Sequence, residues 1–366
     1  MQEREWPVIS VIVPVRNEAG FIARTLEQIL GQDYPPDRME VLVGVADSTD
    51  GTWEIVHEVA RRDPRVRLFC NPHGLSSGAR NLGVRFSTGD IIVFIDGHVH
   101  IDNPRLLRDT VLLLEEKGVS VLSRPQFLEP PDISPFQRAV ALARGSRIGH
   151  GLDSTIYTRD DKYVDPTSAG ASYRRDVFER VGLFDPSFDA CEDVEFNYRC
   201  ARAGYRAFTS MRLAVYYYPR ETARSLLRQM KRYGIGRARL ARKHPATLSL
   251  AAITPALFLL GVLLLSALAP FSRAAFMGLA ACLGLYLVLI AGFSLATAAR
   301  HGLRLLPVLP LIYAVIHAGL GFGFLQGIIV RAAPPPDPVA SQNARSRHDP
   351  SRRQRRARPG GHEPEH

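Results

Sequence analysis

The stretch FIDGHVH, residues 94–100, joins an apolar run to a carboxylate and two imidazoles. Asp96 and His98 stand two residues apart, and a carboxylate and an imidazole at a strand end can ligate a divalent cation. The same residues can equally be the polar start of a loop, and the heptapeptide leaves both readings open. His100 shares a side with His98 only if the strand continues, and is read as a loop histidine. A second cluster, Glu192, Asp193 and Glu195, lies in CEDVEFNYRCARAGY (191–205). Acids in one turn suit a helix N-terminus, where they complement the backbone dipole. Crowded like charges also raise proton affinity toward the range of a general base.

Such residues need a frame. VISVIVPV (8–15) is a β-branched run suited to a strand buried on both faces. MEVLVGVAD (39–47), RVRLFCN (65–71) and DIIVFID (90–96) read as further strands. AGFIARTLEQILGQ (19–32), TWEIVHEVARRD (52–63) and SSGARNLGVRFST (76–88) have helical spacing. This alternation predicts an α/β fold with a Rossmann-like, mostly parallel sheet. Ligands of such sheets bind at the carboxyl ends of the strands. Arg16, Asn17, Glu18, Asp47, Asp96 and His98 all fall at those ends.

Charge organises the rest of the chain. The net charge of +10 is concentrated in residues 220–243, which hold nine Lys or Arg against one acid. A nucleic-acid binder spreads its basic residues over a domain face. Here the block abuts an uncharged region, which points to an anionic membrane surface and away from nucleic acid. Segments near 248–269, 274–299 and 305–330 each meet the roughly 20 apolar residues that a spanning helix needs. The positive-inside rule places residues 1–243 in the cytosol. Three full crossings would put the Arg-rich tail outside, against that rule. The third segment carries Pro307, Pro310 and His317, and a broken or re-entrant path would remove the conflict.

The chain therefore divides into a cytosolic α/β region (1–219), a basic interfacial segment (220–246), a membrane region (247–331) and a disordered Pro- and Arg-rich tail (332–366). The four cysteines show no CxxC spacing and no secretory signal opens the chain, which predicts thiols in a reducing compartment.

Seven segments, in order, resemble glycosyltransferase family 2, inverting enzymes of the GT-A (nucleotide-diphospho-sugar transferase) fold. They are VIVPVRNE (11–18), VLVGVADSTDGT (41–52), GARNLGVRFSTGD (78–90), FIDGH (94–98), GASYRRDVFERVGLFDPSF (170–188), CEDVEFNYRCARAGY (191–205) and QMKRYG (229–234). The resemblance covers about residues 8–240. With the carboxy-terminal apolar segments added, the chain looks most like the ExoA-like, succinoglycan-type members.

The resemblance implies a GT-A domain followed by transmembrane helices in a multi-pass cell-membrane protein. It implies transfer of a sugar, with glucose expected, from a UDP-sugar to a lipid-linked or exopolysaccharide-precursor acceptor. Pro14, Arg16 and Glu18 would shape the first donor loop, although Glu18 could also cap the next helix. Asp47 would accept from uracil, or cap a turn for which Thr49 and Asp50 compete. Arg80 would contact phosphate or base, or be a surface arginine. Asp96 would reach the ribose, and the residue two further on would bind Mg²⁺ or Mn²⁺. That residue is His98, a departure from the family's carboxylate, and imidazole suits Mn²⁺ better than Mg²⁺.

Asp193 matches the catalytic base and Glu192 its partner, with Cys191 a small packed neighbour. Gln229, Arg232 and Tyr233 match a Gln-x-x-Arg-Trp motif, with Tyr for Trp, that closes over the diphosphate and acceptor. They could also lie on lipid phosphates. Two alternatives share the fold: a polyprenyl-phosphate sugar synthase, and an inactive nucleotide-binding scaffold, for which His98 is the best support.

Overall fold

A computed structural model describes residues 4–150, 156–167 and 170–330. The first half runs β1 (Ile9–Val15), α1 (Ile22–Leu30), β2 (Met39–Val45), α2 (Thr52–Arg62), β3 (Val66–Cys70), α3 (Ser76–Phe86) and β4 (Ile91–Phe94). Each element lies inside the segment that its periodicity marked. β5 (Val99–His100), α4 (Leu106–Glu116), β6 (Val121–Ser123), β7 (Gln126–Phe127), α5 (Pro135–Gly145), α6 (Arg147–His150), β8 (Lys162–Val164) and β9 (Gly170–Arg174) follow. Then come α7 (Arg175–Val181), α8 (Glu192–Arg202), β10 (Ala207–Thr209), β11 (Val215–Tyr217) and α9 (Ala223–Lys243). The apolar helices α10 (Leu250–Leu268), α11 (Arg273–His301) and α12 (Leu309–Ile329) close the described chain.

The main sheet has the order β3-β2-β1-β4-β9-β6-β10-β8. β1 runs parallel to β2 and β4, and β2–β3 and β6–β10 are also parallel. β9 lies antiparallel between β4 and β6, and β8 is an antiparallel edge. A small sheet, β5-β11-β7, stands beside it.

Alternation along β1 builds both layers, because successive side chains point to opposite faces. Ile9, Val11 and Val13 pack under Ile22, Leu26 and Ile29 of α1. Ile12 and Phe94 face the other way, onto Phe178, Phe184 and Phe196. Helix α3 sits tight on that second face because Gly83 has no Cβ, which would collide with Ile12. Arg80 is one turn earlier on the same face, so this contact aims it at the carboxyl edge of the sheet.

α10 and α11 are exposed apolar helices, with 6% of their most hydrophobic windows buried, whereas α12 has 44% buried. Glycines let α9 and α12 approach closely: a Cβ on Gly319 would stand 2.6 Å from Met230 Cβ, and one on Gly327 would stand 2.7 Å from Ala238 Cβ. α12 is one unbroken helix, which corrects the expectation of a break. Pro310 sits in its first turn, where no backbone N–H is needed.

The basic segment is also more than a lipid-facing belt. In α9, Arg232 pairs with Asp189, Lys243 with Asp185 and Glu195, and Arg239 donates to Ser187 O at 3.3 Å. Arg224, Arg228, Lys231 and Arg237 remain exposed. The tail 332–366 lies outside the described residues.

Candidate active site

The loops after β1 and β2 lock together. Asn17 adopts a left-handed conformation (φ 53°); its N–H donates to Ser48 Oγ at 3.0 Å and its Oδ1 accepts from Thr49 N–H at 2.9 Å. Glu18 N–H donates to Thr52 Oγ1 at 2.8 Å, and Asp50 accepts from Ala19 N–H and Thr52. Asp50 thus does the turn-closing work, and Asp47 lies exposed just past β2. Pro14 is buried inside β1 opposite Gly44, while Arg16 projects exposed beyond the strand. No side chain caps α1, so Glu18 is not its cap. Its carboxylate turns to His98 instead.

Asp96, just past β4, gives each carboxylate oxygen a partner. Oδ1 accepts from Arg80 Nη2 at 3.1 Å and Oδ2 from the Tyr217 hydroxyl at 2.9 Å. The Arg80 guanidinium packs over the Phe94 and Phe184 rings, 5.2 and 5.6 Å from their centroids. Its Nε reaches Ser76 Oγ at 3.1 Å and Glu192 Oε1 at 3.8 Å. Arg80 is therefore not a surface arginine: it joins Asp96 to the acid pair of α8. Burial works against the Asp96 carboxylate, but Arg80, His98 and Tyr217 outweigh it and hold the carboxyl below its ordinary range.

Gly97 between Asp96 and His98 has a steric reason, since a Cβ there would stand 2.5 Å from Val15 Cγ1. His98 Nδ1 lies 3.0 Å from Glu18 Oε1, yet out of alignment for a hydrogen bond, so this is a charge contact. Burial opposes the imidazolium, and Glu18 and Asp96 overcome it, raising the His98 pKa. His100 is not a loop residue: it lies buried in β5, between Gln28 Nε2 at 2.9 Å and Asp102 Oδ1 at 2.5 Å. It pairs across to Tyr216 in β11, a strand from more than a hundred residues later in the chain.

Among the described residues no group of three His, Cys, Asp or Glu side chains stands close enough to hold a metal. His98 Nδ1 is a buried nitrogen without a hydrogen-bond partner, beside two carboxylates. This fits a cation that takes one or two protein ligands and the remainder from a diphosphate. It does not fit a closed protein cage.

Opposite stands the start of α8, entered through Cys191 in a left-handed conformation (φ 64°). Burial holds the Cys191 thiol high, at about 12, and the four cysteines form no disulfide. Glu192 is 7% exposed; burial raises its carboxyl from 4.5 to about 7, with Arg80 opposing and Asp193 adding. Asp193 is part-exposed beside it.

Glu195 does not crowd this pair as the spacing suggested. It turns away to Arg199 at 2.9 Å, Lys243 at 2.7 Å and His244 at 3.0 Å, and these partners lower its pKa against burial. Phe196, fully buried against Phe178 and Phe184, anchors the helix.

α9 closes this side. Arg232 grips Asp189 through Nε–Oδ2 at 2.9 Å and Nη2–Oδ1 at 3.1 Å, bracing the loop that leads into α8. Those N–H groups are directed at Asp189, not at Asp96 or Glu192. Gln229 Nε2 lies 3.4 Å from the Tyr233 hydroxyl, and the Arg144 guanidinium lies 5.8 Å from the Tyr233 ring. Gly236 permits the approach, since a Cβ would meet Ala190 O at 2.6 Å. The sequence reading missed Tyr217, Arg124 and Arg144. Only the aromatic run at 216–218 offered any local sign of Tyr217. A separate cavity of about 630 Å³ opens between α5 and the end of α11, lined by Glu129, Arg147, Arg300 and His301, and none of Arg80, Asp96, His98 and Glu192 borders it.

Residues 10–182 match the glycosyl transferase family 2. Over 250 residues the chain is 33% identical to the succinoglycan biosynthesis protein ExoA of Rhizobium meliloti (strain 1021), covering 67% of this chain and 73% of that one. It is 23% identical over 331 residues to a dolichyl N-acetyl-alpha-D-glucosaminyl phosphate 3-beta-D-2,3-diacetamido-2,3-dideoxy-beta-D-glucuronosyltransferase of Methanococcus voltae, covering 88% and 97%. In fold it is similar to the mannosyltransferase PcManGT of Pyrobaculum calidifontis, solved with GDP-Man and Mn²⁺, with a TM-score of 0.54, 24% identity, and coverage of 83% and 87%. The order of the motifs, the GT-A sheet and the likeness to ExoA agree: this chain belongs to glycosyltransferase family 2.

Proposed function

We propose that the protein is a membrane-anchored inverting transferase. It moves a sugar, with glucose the expected one, from a UDP-sugar to a lipid-linked or exopolysaccharide-precursor acceptor. The carrying observation is the Arg80 bridge, which brings Asp96 and the Glu192–Asp193 pair into one centre at the carboxyl edge of the sheet.

Asp47, Arg16 and the locked 16–21 loop receive the nucleotide. Asp96 and His98, with Glu18 behind, would hold a divalent cation together with the diphosphate, and when bound it supplies positive charge to the leaving group. Arg80 adds a fixed guanidinium there. Asp193 takes the proton from the acceptor hydroxyl as that oxygen attacks the anomeric carbon. The carbon–oxygen bond to the diphosphate breaks on the opposite face, its electron pair leaves with the diphosphate, and the configuration inverts. Tyr233 and Gln229 wall the acceptor side.

The lipid-linked acceptor reading draws support from α10 and α11, which are long and apolar enough to cross a bilayer. The Methanococcus relative, named for a dolichyl-phosphate-linked acceptor, supports it too. The orientation we propose is a two-helix hairpin. α12 is also long and apolar enough to cross, but it packs along basic α9 and is far more buried than α10 or α11, so we place it at the membrane surface. The tail then returns to the cytosolic side with the catalytic domain, as the positive-inside rule requires.

The test is nucleotide release from UDP- and GDP-sugars with lipid extract, in Mn²⁺, Mg²⁺ and EDTA. Release from one UDP-sugar, lost by about 10²–10⁴-fold in Asp193→Asn while nucleotide binding is kept, is the expected result. An Asp193→Asn protein as active as the wild type refutes the assignment.

A further inference from the structure

Arg124 is a buried cation that the reading above does not use. It is 4% exposed and lies between β6 and β7, where the chain leaves the main sheet for the small one. Pro125 follows it and restricts its backbone to the extended region, so the side chain leaves from a fixed position at the carboxyl edge.

One nitrogen, Nη2, donates to Phe94 O at the end of β4. The other two, Nε and Nη1, have no hydrogen-bond partner among the described residues. The charged groups nearest the guanidinium are Asp96 and Arg80, with the neutral phenols of Tyr217 and Tyr173 beside them. Asp96 gives its two oxygens to Arg80 and Tyr217 and makes no hydrogen bond to Arg124. Burial destabilises the Arg124 cation, and Arg80 adds to the effect.

A buried guanidinium with two idle donors is a cost to the fold that replacement by an apolar side chain would remove. Its place, beside the carboxylate at the centre of the donor site, gives the missing partner a sign and a location.

We propose that Arg124 is an anion-binding residue of the donor pocket, its two unpartnered nitrogens receiving anionic oxygens of the bound sugar nucleotide. This rests on the donor reading of the site. Guanidinium forks pair with phosphate and with carboxylate alike, so the oxygens belong either to the diphosphate or to a carboxylate on the sugar, as in a uronic acid. Either way Arg124 sets donor affinity, and in the second case it selects an acidic sugar over a neutral one.

The experiment uses the full chain in detergent, as wild type, Arg124→Met and Arg124→Lys. Two readouts are taken: the thermal midpoint without ligand, and the dissociation constants of UDP, GDP, UDP-glucose and UDP-glucuronate. Arg124→Met should unfold at the same temperature as wild type or higher, and bind at least about tenfold more weakly. A loss that includes the bare nucleoside diphosphate assigns the diphosphate. A loss confined to UDP-glucuronate assigns the sugar carboxylate. Arg124→Lys, which keeps the charge without the fork, should recover part of the affinity.

Unchanged affinities in Arg124→Met overturn the proposal. So does a midpoint lowered by several degrees with the ligand-induced shift intact, because that marks a structural arginine. Wild-type protein that binds no nucleotide refutes the donor reading, and the Arg124 assignment falls with it. Wild-type binding that survives Arg124→Met refutes the assignment alone.

Discussion

Arg80 Nη2 stands 3.1 Å from Asp96 Oδ1, and the same guanidinium lies 3.8 Å from Glu192, so one side chain ties β4 to α8. The two acids are 96 positions apart and meet only through this arginine. Arg80→Met should leave buried Glu192 and half-buried Asp96 without the guanidinium they share. Breaking a buried pair from one side costs about 3–5 kcal/mol. Chemical unfolding at neutral pH should show that loss. Arg80→Lys should restore part of it, since a lysine ammonium cannot reach both partners as a planar fork does.

Glu192 makes stability depend on pH. Its folded pKa, about 7, lies above the ordinary 4.5 because burial favours the neutral acid. Its stabilising contribution is therefore full below about pH 4.5 and is lost as pH rises through about 7. At 1.36 kcal/mol per unit the loss is on the order of 3 kcal/mol. Glu192→Gln should flatten the stability profile across this window. An unchanged slope would mean that another group titrates there.

The α9–α12 contact depends on absent Cβ atoms. Gly323 abuts Lys231 O, with no room for a methyl group. Gly323→Ala should force the helices apart, at about 1–3 kcal/mol for overpacking. Limited proteolysis within α9 should then speed up, and nucleotide release should fall, because α9 braces Asp189 and the entry to α8. A variant with the wild-type protease pattern would show that the helices adapt.

The hairpin topology predicts opposite exposure for two positions. Phe271 is 88% exposed, in the turn between α10 and α11. Phe271→Cys should react with an impermeant maleimide in intact cells. Ser341→Cys, in the tail, should react only after the membrane is opened. Labelling of both in intact cells would mean that α12 crosses the bilayer.

Local chemistry made much of this protein legible from sequence. The β-branched run of β1 and the helical spacing of α1, α2 and α3 are short-range patterns, and those elements form where the patterns lie. The uncharged lengths of α10 and α11 likewise declare what they can do, and the ordered motifs placed the chain in its family.

What lies between distant residues was not legible. Glu195 sits two positions from Asp193, yet it faces Lys243 and His244, because α9 returns alongside α8. His100 reads as a loop residue until β11 supplies its strand partner. α12 reads as a third apolar segment, and only the fold shows basic α9 packed along it. Arg124 carries no local signal at all, and Tyr217 only the aromatic run around it. A periodic pattern depends on a residue's own neighbours in the chain. A buried charge depends on strand order, and β9, running antiparallel between β4 and β6, sets how the edge bearing Arg124 stands to Asp96. The sequence by itself determined the elements, the family and the residue types available for chemistry. The tertiary structure decided which of those residues share one low-dielectric centre, because only packing brings their charges close enough to act on one another.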